Sequence, residues 1–340
     1  MPDLHLQHLQ YLRSLAEADG TVPSLTQVLE AGIGDLPLPG AGRTLARWRL
    51  LAEVAACDLS LAKLFEGHTD ALAILAELGG RAPEAGSRWG TWCAEPPTAR
   101  LAMREVSSGR VRLSGTKAWC SGANDVTHAV VSCWNEASEP CLAAVALQAP
   151  GVTVTGEGWS AVGMAASGSV EVRFEDAEAT ALGGPGDYVA RPGFWHGGAG
   201  IAACWFGGAL GIARALHRGA GGKPDPHRLA HLGSVDVALQ AAAVVLRESA
   251  AWIDAHPQAD AQAVALRARL VVEQAATEVM RHAGRALGAT PFCRDPHFAR
   301  AMADLPVYLR QSHAERDLAA LGSLIAADQE RDKERDPWTL

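Results

Sequence analysis

From Thr44 to Leu78 apolar residues recur every three or four positions: Leu45, Trp48, Leu51, Val54 and Ala55, then Leu59, Leu61, Leu64, Ala71 and Leu75. That is the stripe a helix buries along one side, and Gly79-Gly80 ends it, because glycine adopts the backbone conformation that closes a helix. From about Trp89 to Thr180 the period drops to two. Short β-branched stretches at 111–113, 129–133, 142–147, 152–154 and 170–174 stand between Gly, Pro, Asn and Asp, which predicts an antiparallel sheet. After Gly193 the helical period returns at 197–217, 229–256, 260–287 and about 300–329. These segments are separated by Pro-containing loops at 219–226, 257 and 291–296, and Asp260 stands as an N-cap. The charged stretch after Asp328 has the composition of a disordered tail.

Composition fits this plan. Of 340 residues, 48% are apolar and 20% charged, and the apolar share leans on Ala, Val and Leu, which suits close-packed helices. The length allows two or three packed subdomains. Thirty Lys and Arg against 38 Asp and Glu give a net charge of −8 without a basic block. That balance points away from nucleic acid and anionic membrane surfaces and toward a small-molecule substrate. Seven cysteines (Cys57, Cys93, Cys120, Cys133, Cys141, Cys204, Cys293) without a C-x-x-C read as reduced thiols, not as a disulfide framework or zinc site. Residues 1–5 lack the cationic start and apolar run of a secretory signal, so a cytoplasmic location is expected. The uncharged segment 197–213 is Gly-rich and flanked by His196 and Arg214, whereas a membrane span needs ~20 strongly apolar residues; a buried helix is expected there.

The most informative words lie in the β region. Leu113-Ser114-Gly115-Thr116-Lys117-Ala118-Trp119-Cys120-Ser121-Gly122 and Trp159-Ser160-Ala161-Val162-Gly163-Met164-Ala165-Ala166-Ser167-Gly168-Ser169, closing on Phe174, resemble two strand signatures of the acyl-CoA dehydrogenase family in their order and separation. Cys93-Ala94-Glu95-Pro96 is similar to that family's flavin-contacting loop, though Pro97-Thr98-Ala99-Arg100 replaces the Gly-x-Gly-Ser that usually follows. Further on, Arg228, His231, Gly233 and Gln240 resemble its "R-x-x-F-G…Q" pattern, with the Arg one residue early, and Arg285-Ala286-Leu287-Gly288-Ala289 its "Q-x-F-G-G". Arg300 and Asp304 follow at the ungapped positions of its basic residue and Asp, so the resemblance spans about residues 40–325.

The resemblance implies an α+β multidomain architecture of the acyl-CoA dehydrogenase type. Its parts would be an N-terminal α-helical domain (1–85), a central antiparallel β-barrel domain (86–190) and a C-terminal four-helix bundle (191–330). It implies FAD held by Trp92, Ala94, Trp119, Ser121, Arg228, His231, Gln240, Arg285, Gly288 and Ala289. Trp119 and the Ser121 hydroxyl would serve the isoalloxazine, and the cationic residues the diphosphate across a dimer interface. It further implies an acyl-CoA or other acyl thioester substrate, a homodimer or homotetramer, and an electron-accepting flavoprotein or reductase as redox partner. Two local features stand beside it: His68, after an apolar helix, as a cavity-facing candidate, and Trp195-His196 at the entry of the first bundle helix.

One position departs from the pattern. α,β-Dehydrogenation needs a carboxylate to take the α-proton, and the family carries a Glu eight residues after the Asp; here that position is Ser312. The alternative position falls near Ala202, in a stretch without acids. Three readings remain open. Glu315 takes over as base; or the segment 304–322, with Ser312 and His313 as substrate-binding residues, resembles the flavin-dependent monooxygenase branch, which needs no such base; or the chain is a non-catalytic flavin-binding or scaffolding member.

Overall fold

The computed structural model describes residues 7, 8, 10–12, 14, 22–219, 225–331, 336 and 338; the chain start, residues 220–224 and most of the charged tail lie outside the described residues. Helices α1 (Leu25–Glu30), α2 (Thr44–Cys57) and α3 (Leu59–Glu77) precede seven strands: β1 (Trp89–Trp92), β2 (Leu101–Ser107), β3 (Arg110–Cys120), β4 (His128–Trp134), β5 (Pro140–Ala146), β6 (Val152–Val154) and β7 (Val170–Leu182). Then come α4 (Asp187–Ala190), α5 (Gly193–Arg218), α6 (Pro226–Ala255), α7 (Gln262–Leu287), α8 (Ala289–Arg294), α9 (Pro296–Tyr308) and α10 (Glu315–Arg331).

The apolar run from Thr44 to Leu78, expected as one helix, is two. Asp58 sits extended between them, its carboxylate accepts the Leu61 N–H at 2.9 Å as the N-cap of α3, and its second oxygen pairs with Arg300 at 3.1 Å. A side chain that satisfies an orphaned helix donor and a distant cation ends the helix without Gly or Pro.

The sheet closes on itself. β4 pairs with β5, β5 with β7, β7 with β3, β3 with β2, and β2 returns to β4 through the pair Ala102 and Trp134, while β1 beside β4 and β6 beside β7 stand at edges. The expected all-antiparallel arrangement is corrected at one edge: β1 lies parallel to β4, and the β2–β4 bridge is parallel too. Residues 93–127, which include β2 and β3, join β1 to β4, a connection long enough to permit parallel pairing.

Helix α5 is the buried helix expected at 197–213, with Trp205 and Cys204 fully enclosed. It presses on α2 so closely that a β-carbon at Gly207 would stand 2.1 Å from the Ala52 carbonyl oxygen. Small residues on both helices permit that approach. The fourth long helix expected at 300–329 is broken into α9, a 3-10 turn at Leu309–Gln311, and α10. The cause is tertiary. Arg269 on α7 donates to the Gln311 carbonyl at 2.6 Å and the Gly198 carbonyl at 3.0 Å, which pins the turn. Ser312 is extended, its hydroxyl accepts the Ala314 N–H, and Asp317 accepts the His313 N–H.

Gly207→Ala is expected to cost about 1–3 kcal/mol in urea denaturation through overpacking. Gly233→Ala, in open space on α6, should instead gain roughly 0.5–1 kcal/mol from helix propensity.

Candidate active site

A cavity of about 540 Å³ opens where the barrel end meets α3, α5 and α9. Its apolar wall is Trp92, Trp119, Trp159, Ile201 and Val307, and its polar side is Lys63, Glu66, Asp70, Tyr308, Arg310 and His313. A mostly apolar concavity with a few convergent polar groups is the usual form of a small-molecule site.

Trp119 owes its place to a bulge. The β3–β7 register slips between Lys117 and Cys120, and Trp119 adopts φ 57°, a conformation costly for a bulky residue. The flip turns its ring out between buried Ala118 and Cys120, leaving it 50% exposed beside the cavity. An uncovered indole held in strained backbone points to a ligand that covers it. Behind it, Trp92 Nε1 donates to the Ser121 carbonyl at 3.0 Å and so ties β1 to the end of β3.

A row of hydroxyls has a defined direction. Ser167 Oγ donates to the Met164 carbonyl at 2.6 Å, which uses its single proton. Ser169 must therefore donate to Ser167 at 2.7 Å, and Ser121 to Ser169 at 2.8 Å. Ser121 Oγ is left with lone pairs only. The Ser121 hydroxyl therefore faces the cavity as an acceptor.

Lys117, fully buried, lies under the loop that follows β1. Its ammonium donates to Glu95 Oε1 at 2.5 Å and to Ser132 Oγ at 2.6 Å, while Trp134 Nε1 donates to Glu95 Oε2 at 2.9 Å. Burial alone would raise the Glu95 carboxyl; the bonds from Lys117, Ser132 and Trp134 outweigh it and hold the group below the usual carboxylate range. The motif residues Lys117 and Glu95 thus hold the strand end that carries Trp92, Cys93 and Ala94.

The polar side comes from α3. Lys63 Nζ donates to Glu66 Oε2 at 2.7 Å, and Asp70 pairs with Arg47 of α2 at 3.3 Å. Glu66 is raised above the ordinary carboxylate value, by burial first, with Lys63 opposing and the nearby charge of Asp70 adding to the rise. Cys93 lines the cavity, but burial pushes its thiol up to about 11, so it is neutral and a poor nucleophile near pH 7.

Of the residues expected at the site, Trp92, Ala94, Trp119, Ser121 and His313 line the cavity. Ser312 is buried in the α9–α10 turn, and Glu315 is exposed on the first turn of α10; neither lines the cavity. The helix break that Arg269 fixes re-aims the chain after Gln311 and keeps both residues off the cavity wall. Arg228, His231, Gln240, Arg285, Gly288 and Ala289 also stand apart from it. Arg228 bonds the Gly219 carbonyl, His231 bonds His282 at 2.8 Å, Gln240, Arg285 and Ala289 are exposed on α6, α7 and α8, and Gly288 is exposed between the last two. His68 does not face the cavity: its Nδ1 accepts the Trp89 N–H at 3.1 Å, and burial, with Arg47, lowers it to about 4. Trp195 packs edge-on against Phe194, and His196 is buried against Gly40. Lys63, Glu66 and Asp70 were missed. Their spacing of three and four reads in sequence as an ordinary polar helix face.

No protein-family model matches the chain, and no curated protein matches it by sequence. Solved structures do. A dibenzothiophene monooxygenase from Paenibacillus sp. A11-2, crystallised with FMN and indole, superposes with a TM-score of 0.80 at 18% identity over 98% of this chain and 97% of that one. A butyryl-CoA dehydrogenase from Megasphaera elsdenii gives 0.79 at 15% identity over 96% and 99%. The chain has the acyl-CoA dehydrogenase fold. A methanesulfinate monooxygenase from Pseudomonas fluorescens shares this fold with a TM-score of 0.77 at 18% identity over 99% and 97%. In this chain's version, the residues around the cavity suit a flat heteroaromatic ring: Trp119 offers an open face, Ser121 Oγ an acceptor and Trp92 a second wall.

Lys117→Met leaves the Glu95 charge uncompensated. It is expected to lower stability by about 2–3 kcal/mol at neutral pH, less than the ~3–5 of a fully buried pair because Glu95 stays partly in water. Since the folded state holds Glu95 low, its contribution is present above the unfolded carboxylate value and lost as pH falls through the folded one. Denaturation curves of parent and variant should therefore converge in acid.

Proposed function

We propose that the protein is a flavin-dependent monooxygenase that takes up reduced FMN from a separate reductase and oxidises a small organic molecule in the cavity. The observation that carries this reading is the state of the carboxylates. Glu315 is on the surface, and the two acids that line the cavity, Glu66 and Asp70, are held by Lys63 and Arg47. A carboxylate bonded to an ammonium is a weak base toward an α-C–H, so the α,β-dehydrogenation implied by the sequence motifs lacks its proton acceptor. When bound, reduced flavin supplies two electrons to molecular oxygen, so that one oxygen atom enters the substrate and the other leaves as water.

The direction of the hydroxyl row supports the same reading. Ser121 Oγ, an acceptor, suits a ring N–H, and a flavin carries more of these reduced than oxidised. FMN is proposed over the FAD of the motifs; Arg228, His231 and Arg285 stand apart from the cavity and would reach a flavin diphosphate only from a second copy of the chain. The FMN and indole of the Paenibacillus enzyme fit this choice.

Reduced FMN should bind more tightly than oxidised FMN or FAD in anaerobic titrations. Ser121→Ala should weaken reduced FMN by roughly 3–10-fold, the worth of one hydrogen bond. Butyryl-CoA added anaerobically to protein carrying oxidised flavin should leave the flavin band intact, in parent and Glu315→Gln alike; bleaching by the thioester would restore the dehydrogenase reading.

A second copy of the chain is proposed to cover α6. Only 17% of its most apolar window is buried, and Leu229, Val237 and Val244, seven or eight residues apart, place 47%, 70% and 53% of their surfaces in solvent on one helical face. Light scattering at micromolar concentration should give at least a dimer, and Val237→Asp should shift it toward monomer.

A further inference from the structure

The proposed function gives no task to the Lys63–Glu66–Asp70 cluster, and its composition is unusual for a structural one. Glu66 has 6% of its side chain exposed and Lys63 17%, yet both line the cavity, so the pair is buried by protein on one side and open to a ligand on the other. Tyr308, at the same end, has a fully buried hydroxyl with no oxygen or nitrogen partner among the described residues. Every element packed around Glu66 brings a charged or titratable group: Lys63 and Asp70 on α3, Arg47 on α2, Cys204 on α5, Arg269 on α7 and Tyr308 on α9. The Cys204 thiol and Tyr308 hydroxyl are both pushed up by burial and stay neutral near pH 7; of the two carboxylates, Glu66 is the one paired with the cavity-lining ammonium of Lys63, whereas Asp70 pairs with Arg47 outside the lining.

We propose that Glu66 is the proton acceptor for a substrate bearing a weakly acidic O–H or N–H on an aromatic ring, and that Lys63 holds the resulting anion. The substrate O–H or N–H bond breaks, the proton binds a Glu66 carboxylate oxygen, and the electron pair stays on the substrate heteroatom. Glu66 thereby loses the charge that balanced Lys63, and the new substrate anion replaces it, so the net charge of the cluster is unchanged. That exchange explains why an ion-paired carboxylate suffices here and not for C–H abstraction: the heteroatom proton moves along an existing hydrogen bond, and the ammonium that weakens the base also stabilises the product anion. The three cavity tryptophans supply the aromatic wall such a ring needs. Ionised, the ring is electron-rich at carbon, the state in which it best accepts an oxygen atom. This assignment rests on the monooxygenase reading for its purpose, but its test does not need turnover.

The probe is 4-nitrophenol, whose ionised form has its own visible band, added to the full-length flavin-free protein in weak buffer at a pH below the probe's own pKa. The parent is expected to bind it with appearance of the nitrophenolate band and no net proton release, because the proton stays on Glu66. Glu66→Gln is expected to show the band with release of about one proton per bound probe, and Asp70→Asn the band without release. Lys63→Met should lose the band by roughly tenfold or more. Failure of the parent to bind the probe, binding as neutral phenol, or the same release from parent and Glu66→Gln overturns the proposal. Should Glu66→Gln not fold, Asp70→Asn and the parent's proton count decide between the two carboxylates. If reduced FMN fails to bind while the band still forms, the monooxygenase reading falls and the proton acceptor stands.

Discussion

The cavity exists because the barrel is locked to the helical bundle at one seam. The Met164 N–H donates to Asp304 Oδ1 on α9 at 2.5 Å, and a β-carbon at Gly163 would stand 2.1 Å from the Ala303 carbonyl oxygen. No other residue type permits that approach. The lock sets the loop that carries Ser167 and Ser169, which orders the hydroxyl row, which in turn settles the polarity of Ser121 at the cavity wall. The α9 side of the same seam continues through Val307 and Tyr308 into the turn pinned by Arg269. One backbone hydrogen bond to a buried carboxylate therefore registers both halves of the site.

What was legible in the chain was local. Trp119 and Ser121 stand in a motif whose neighbours in sequence are its neighbours in space, so their place on the wall followed from the words around them. The helix and strand periods likewise reported burial on one side of each element. The two helix breaks were not legible. Asp58 and Ser312 end their helices through partners that are remote, Arg300 for the first and the Arg269-pinned turn for the second. The second break carries Glu315 to the surface. Lys63, Glu66 and Asp70 were hidden for a related reason: a polar face on a helix reads as solvated until the barrel packs over it.

Several of the costs in this fold fall around the cavity. Trp119 sits in left-handed backbone, Lys117 is an ammonium without solvent, and Glu66 is a carboxyl raised by burial. Lys117 is compensated by Glu95 and Ser132, bonds that hold the loop after β1 in place. Trp119 has no such compensation. A sequence selected for stability alone would relax the bulge and bury the indole; retention of the strain is intelligible if a ligand returns that area on binding.

The electrostatics of the cavity also constrain what can enter. Lys63 with Glu66 and Arg47 with Asp70 form two neutral pairs, so a ligand with a full charge of its own would leave one group uncompensated in a poorly solvated space. A neutral ligand avoids that penalty, and one that can pass a proton to Glu66 acquires charge only where Lys63 is ready to meet it. The pairing that makes the site a poor base for carbon thus makes it selective for molecules that arrive neutral and ionise in place.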